Sequence, residues 1–240
     1  MGKLRIFLIA ALLILPMMGG PAVAQAMQPQ IASCENSKNA FAPDQQIAGC
    51  TVLIKSGREP DRNLTFDYHS RGNAYHAQGD LDHAIADYTE ALRLDPKSTL
   101  AYYHRGNTYA DKGDYDRAIA DYNEAIRLDR KYEEALNNRG VAYKAKGDLD
   151  RAIADYTEAV RLDPKYVEAY KNRAGTYADK GDYDRAIADY TEAIKLDPGN
   201  ADCYNGRGNA YRAKGDNDNA AADRAEVMQL TASTDIGLRR

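Results

Sequence analysis

Apolar and polar positions along this chain follow a helical rhythm, and the rhythm itself recurs. Ala84-Ile85-Ala86-Asp87-Tyr88 returns as Ala118–Tyr122, Ala152–Tyr156 and Ala186–Tyr190, each copy 34 positions after the last. A fixed period in this range marks a stacked repeat architecture. Within the unit Val167 to Asn200, Tyr170, Arg173, Ala174 and Tyr177 fall on one face of a first helix. Ala186, Ile187, Tyr190, Ala193 and Ile194 do the same for a second. Gly181 between them reads as a helix stop, Asp182 as the cap of the second helix, and Asp184 as a first-turn acid suited to the helix dipole. Asp197-Pro198 reads as the start of the next unit, with Asp as cap and Pro in the first helical position. Neither helix buries its apolar face alone, so neighbours must stack, and Ala174, Ala186 and Ala193 let them approach closely.

The set positions resemble the tetratricopeptide repeat, with its aromatic, Leu-Gly, Tyr, Ala, aromatic and Pro signature. Thr65–Ser98 carries Tyr68, Gly72, Tyr75, Ala84, Tyr88, Ala91 and Pro96. Thr99–Tyr132 carries Tyr102, Gly106, Tyr109, Ala118, Tyr122 and Ala125, with Arg130 in place of Pro; Glu133–Tyr166 carries Leu136, Gly140, Tyr143, Ala152, Tyr156, Ala159 and Pro164. The fourth unit has Ala174 where Gly is usual, and the fifth keeps Tyr204, Gly208, Tyr211 and Ala220, then places Arg224 and Val227 where Tyr and Ala belong. The resemblance implies an all-α, right-handed superhelical solenoid of antiparallel helix pairs. It divides residues 63–230 into five repeats, 65–98, 99–132, 133–166, 167–200 and 201–230. Asn217, Asn219, Asp223, Arg224 and Glu226 make the last helix polar, as the end of a stack requires. Residues 231–240 are expected to be a flexible tail.

One departure from the family pattern is systematic. Arg stands where Leu is usual before the Gly, at Arg71, Arg105, Arg139, Arg173 and Arg207, and Asp recurs in step at Asp87, Asp121, Asp155, Asp189 and Asp223. A buried Arg needs a partner, so these are expected to pair, within or between repeats. The competing reading is an Arg ladder for an anionic ligand.

In the family resembled, first helices line a concave groove that holds a partner segment. Carried over by position, the partner-binding candidates are His69, Asn73, Tyr103, Asn107, Asn137, Lys144, Lys171, Asn205, Asn209 and Arg212, with His76, Leu100, Glu134, Val141, Glu168 and Asp202 on the same rows. Asn can donate and accept, and so can hold a peptide backbone in either direction. The same residues would otherwise be plain solvated helix faces. A carboxylate clamp known in the family would fall on His69, Asn73, His104, Glu134 and Asn138; only the two Asn fit, so no clamp is expected. His69, His76, His83 and His104 cluster in the first two repeats without metal-motif spacing, and no metal is expected. No H-E-x-x-H, G-x-x-x-x-G-K-[ST] or G-x-S-x-G occurs, so neither an enzyme nor a cofactor is expected.

The N-terminus adds export. Lys3 and Arg5, an apolar run from Ile6 to Leu15 and Ala22-Val23-Ala24 read as a signal peptide over residues 1–24, with Ala24-Gln25-Ala26 as a second cleavage option. An uncleaved anchor is the alternative. Ile31-Ala32-Ser33-Cys34 resembles a lipobox but lies too far from the apolar run. Residues 25–62 are expected to hold one helix, about 43–56, a degenerate second half of a repeat in which Cys50 takes the Tyr122 place. In an exported chain Cys34 and Cys50 can pair as a disulfide; unpaired, they would be two small apolar residues. Cys203 is left over. The net charge of -4, without a basic run, speaks against nucleic acid. The expected function is therefore a protein–protein interaction scaffold in a periplasm, binding a protein or peptide. The alternative is a self-associating structural scaffold of the cell envelope, with the array's ends or Cys203 joining copies into a homo-oligomer.

Overall fold

The structure, a computed structural model, describes residues 21–36, 40–57 and 61–237. Twelve helices follow one another among them: α1 (Pro21–Glu35), α2 (Pro43–Ser56), α3 (Asp61–Ala77), α4 (Leu81–Leu94), α5 (Thr99–Asp111), α6 (Tyr115–Leu128), α7 (Glu133–Ala145), α8 (Leu149–Leu162), α9 (Val167–Asp179), α10 (Tyr183–Leu196), α11 (Ala201–Ala213) and α12 (Asn217–Gly237). They pack as consecutive pairs into an all-α solenoid. Apart from residues 21–24, the expected signal peptide lies outside the described residues.

A Gly-Asp step makes the turn inside each of the five pairs from α3–α4 to α11–α12. Gly79, Gly113, Gly147, Gly181 and Gly215 all have φ between +76° and +84°, a region open to Gly without steric cost. The next residue then caps the second helix: the Asp182 carboxylate accepts from the Arg185 amide, as Asp80, Asp114 and Asp148 accept from His83, Arg117 and Arg151. The joint between units is different from the sequence expectation. Asp197 ends α10, its carboxylate accepts from the Gly199 amide, and Asn200 is the cap of α11. The acid folds back on its own turn two residues on, which displaces the helix start past Pro198.

The Arg–Asp pairs lie within repeats, each across 16 residues from first helix to second. Nε and Nη2 of Arg139 donate to the two oxygens of Asp155 at 2.8 and 2.6 Å, and the other four pairs repeat this fork at 2.7 to 3.0 Å. Nη1 reaches the preceding unit, to Thr51, Thr89, Asn123, Thr157 and Thr191 in turn. One guanidinium thus joins three helices. With both carboxylate oxygens engaged, this is a structural pairing rather than a free ladder for anions.

In the first three full repeats the Gly one place after the Arg receives the second-helix Tyr. A Cβ on Gly72, Gly106 or Gly140 would stand 2.7–2.8 Å from the ring of Tyr88, Tyr122 or Tyr156. In the fourth unit Ala174 fills that space, and Tyr190 turns to the next unit, where a Cβ on Gly206 would lie 2.3 Å from its ring. Glycine at 206 therefore compensates for alanine at 174. We expect Gly206→Asn to cost about 1–3 kcal/mol by overpacking, and Ala174→Gly in the same chain to recover most of it by readmitting Tyr190 to its regular seat. Denaturant unfolding of the single and double variants measures this; additive losses would contradict it.

The N-terminal segment holds two helices rather than the one expected. Cys34 on α1 and Cys50 on α2 form a disulfide, Cα–Cα 4.7 Å, with both side chains fully buried. They too are 16 residues apart, so the bond stands where Gly and Tyr meet in the regular repeats. One place earlier, Ser33 and Gly49 replace Arg and Asp; a Cβ on Gly49 would fall 2.0 Å from Ser33 Oγ. Thr51 receives Arg71, as Thr89 receives Arg105. Asp44 receives Gln78, where Asp82, Asp116, Asp150 and Asp184 receive Lys112, Lys146, Lys180 and Lys214 from the following unit. At the other end α12 continues to Gly237, past Leu230, where a flexible tail was expected. Its Ala221, Arg224, Ala225 and Gln229 are exposed.

Candidate functional site: the inner face of the array

First helices of consecutive units touch one another: α3 meets α5, α5 meets α7, α7 meets α9 and α9 meets α11. No such contact joins the second helices α4, α6, α8 and α10. The array therefore curves with its first helices inside, and their unpaired faces form the concave surface.

Several of the residues expected to bind a partner there are already engaged. The Tyr88 and Tyr122 hydroxyls donate to Asn73 and Asn107 Oδ1, both at 2.7 Å. Asn138 Nδ2 donates to Asn107 Oδ1 at 2.9 Å and to the Tyr103 hydroxyl at 3.1 Å. Asn137 is buried, donates to Asn138 Oδ1 at 3.1 Å and accepts from Asn172 at 2.9 Å. This amide chain ties the second, third and fourth repeats together. Asn73, Asn107 and Asn137, expected to hold a partner's backbone, thus also bond to neighbouring side chains in the wall of the face. Val141 takes the Asn place in the third unit.

Lys144 is ion-paired with Asp179 at 2.9 Å, and His76 Nε2 lies 2.7 Å from Asp111. Asn205, Asn209 and Arg212 are exposed and Lys171 half-buried, none with an ion pair or side-chain hydrogen bond among the described residues. His69 packs on His104 at 5.0 Å between ring centroids and on Tyr88 at 5.7 Å. No group of three or more His, Cys, Asp or Glu among the described residues could hold a metal. Cys203 is fully buried, its thiol pushed up to about 11 by that burial, so it has no route to another copy in the folded array.

Burial lowers His69 to about 4; burial, then repulsion from His69 and His76, lowers His104 to about 4. Both folded values lie below the ordinary histidine value. As pH falls from about 6.5 towards 4 the unfolded chain takes up protons that the folded chain refuses, and stability is lost. We expect the melting temperature to fall through this window, and His69→Gln/His104→Gln to flatten the fall. An equally steep profile in the double variant would contradict the assignment.

The end of the inner face at the first two repeats is open and apolar. Phe66 is 46% and Leu100 54% exposed. With Thr65, His69, Leu94, Asp95 and Ser98 they line a cavity of about 410 Å³. Sequence reading placed Leu100 on the groove and overlooked Phe66, whose place 34 residues before Leu100 was the available signal. It also overlooked Tyr132 and Tyr166, which hold the N-cap positions of α7 and α9 without making a side-chain cap bond. Tyr132 lies against Tyr103 at 4.8 Å.

The chain is similar to several solved helical arrays. A crystal structure of the MamA protein superposes with a TM-score of 0.64 at 29% identity, over 70% of this chain and 91% of that one. The crystal structure of YrrB, a TPR protein with an unusual peptide-binding site, gives 0.62 at 24% identity, over 79% and 96%. A tetratricopeptide repeat protein from Parabacteroides merdae ATCC 43184 gives 0.72 at 23% identity, over 86% and 80%. The last two likenesses bear on the fold alone. No curated protein matches the chain. Family models match it over most of the array: the TPR repeat at residues 72–113 and 106–147, and the tetratricopeptide repeat at 137–201 and 171–229. This chain belongs to the tetratricopeptide repeat family.

Proposed function

We propose that this protein is a non-catalytic scaffold that binds a segment of a partner protein on its inner face. The family consists in general of protein-interaction scaffolds. The observation that carries the finer reading is the pair of exposed apolar side chains, Phe66 and Leu100, beside a cavity on that face. Exposed apolar surface next to a concavity is where a partner side chain gains most by leaving water. The polar chain of Asn107, Asn138, Asn137 and Asn172 keeps the first helices in register before the partner arrives, so less ordering is required on binding. YrrB, a similar array, carries a peptide-binding site, which is consistent with this reading.

The reading includes export to an oxidising compartment, a bacterial periplasm. Its support is the signal-like N-terminus together with the Cys34–Cys50 bond. No helix among the described residues is long and apolar enough to cross a membrane.

Affinity capture from the native cell tests the groove. Wild type and the outer-face control Ala120→Asp should retain the same partner, and Phe66→Asp/Leu100→Asp should lose it. An unchanged partner set in the double variant would refute the inner face as the binding surface. Phe66, Leu100 and Ala120 are all exposed, so these changes leave the core intact.

A further inference from the structure

One residue of each first helix occupies the same place on the rim of the inner face: Phe66, Leu100, Glu134, Glu168 and Asp202, spaced 34 apart and all exposed. The row is apolar over two units and acidic over three. Among the described residues no ion pair involves Glu134, Glu168 or Asp202, whereas Lys144 and His76 on this face already have Asp partners. Lys171 and Arg212 are the other cations on the rows singled out above.

Aromatic rings accompany the acids. Ser98 and Asn200 cap α5 and α11 through their side chains, accepting from the Ala101 and Cys203 amides. The equivalent residues at α7 and α9 are Tyr132 and Tyr166, which forgo that bond. A residue that breaks a local rule is a candidate for function. Tyr166 also packs into the core around Leu136, Ala159 and Ala169, which accounts for part of its side chain. Tyr132 instead stands beside Tyr103, 4.8 Å between centroids. Arginines of the array lie over Tyr68, Tyr75, Tyr102, Tyr109, Tyr143, Tyr170, Tyr177, Tyr204 and Tyr211; no such cation lies over Tyr103, Tyr132 or Tyr166 among the described residues. Burial first, then the neighbouring Tyr103 and the glutamates, push the Tyr132 and Tyr166 phenols up, so the rings stay neutral. A neutral phenol face beside a carboxylate attracts a cation.

We infer that the bound segment is an extended basic peptide: an apolar side chain seats against Phe66 and Leu100, and Lys or Arg side chains lie over Tyr103 and Tyr132 against Glu134 and Glu168. This rests on the inner-face reading above and adds the chemistry of the partner.

The test uses labelled ten-residue peptides with a Leu-Phe pair at either end and alternating Lys-Ala in the remainder, together with counterparts carrying Gln or Glu in place of Lys. Fluorescence anisotropy on the full chain should show the Lys peptide binding at least about tenfold more tightly than the Gln peptide, the Glu peptide not binding, and added salt weakening the preference. Glu134→Gln/Glu168→Gln should abolish the advantage of Lys over Gln while the helical circular dichroism signal is kept. Equal affinity for all three peptides, or a Lys preference retained in the double variant, overturns the inference. If a Gln or Glu peptide binds as tightly as the Lys peptide and is released by Leu100→Asp, the groove reading stands and the basic partner falls. If no peptide binds and capture is insensitive to Phe66→Asp/Leu100→Asp, both fall.

Discussion

Asp155→Ala should lower the stability of the array by about 3 kcal/mol, because it leaves a buried guanidinium without its counter-charge. The side chains of Arg139 and Asp155 are only 19% and 9% exposed. After the substitution Arg139 keeps one side-chain acceptor, Asn123, at 2.6 Å, and Nε and Nη2 lose theirs. The array responds unit by unit, since each repeat is supported by its own pairing and by its neighbours. For a chain of this size the melting temperature should fall by about 10 °C. Removing both charges in Arg139→Met/Asp155→Leu should recover most of the loss, because a matched apolar pair is often as stable as a buried ion pair. A melting temperature unmoved by Asp155→Ala would show that the fork contributes nothing. Asp155→Ala and Arg139→Met/Asp155→Leu losing equally would assign the effect to packing rather than to charge.

The second large effect is at the N-terminal pair. Cys34→Ser/Cys50→Ser should destabilise α1 against α2 by about 3 kcal/mol, the chain-entropy value for a closed loop of about 15 residues. Little else in the chain replaces the bond. The first pair lacks the Arg–Asp fork, and its buried cluster comprises the two cysteines and Leu53, with Ile31 partly buried against them. A hydrogen bond from Gln46 Nε2 to the Cys34 carbonyl, 3.0 Å, remains. Nearest-neighbour coupling confines the loss to this end. Amide hydrogen exchange should show lost protection in α1 and unchanged protection in α7 to α10. Protection in α1 equal to that of the disulfide-bonded chain would contradict this, and a uniform loss would contradict the confinement.

Periodicity carried most of the fold because a repeat prints the same physical requirement several times. Arg and Asp recurring in step implied a buried pair before any geometry was known, and the Gly-Asp turns were readable from one unit. The missed features are those that occur once. Helix α2 keeps enough of the pattern to be read as half a repeat, but α1 carries none of it. The kinship of α1 with a first helix shows only in the 16-residue separation, which Arg–Asp, Gly–Tyr and Cys34–Cys50 all obey. The exchange between Ala174 and Gly206 spans two units and needs the third dimension to be seen. The inner face was harder still. Position within a repeat put Asn73, Asn107 and Asn137 on the correct helices, but an Asn that binds a partner and an Asn that binds its neighbour look identical in sequence. Tyr132 and Tyr166 fell at unit boundaries, outside the family signature. Their abandoned caps are visible only once helix ends are fixed.

The central claim is that the inner face binds the partner. A photoactivatable amino acid placed at Leu100 or at Glu134, and separately at Ala120 on the second helix α6, tests it in the native cell. Capture of one and the same protein from Leu100 and Glu134, with none from Ala120, is the expected result. Capture of that protein from Ala120 alone would place binding on the outer face and contradict the account.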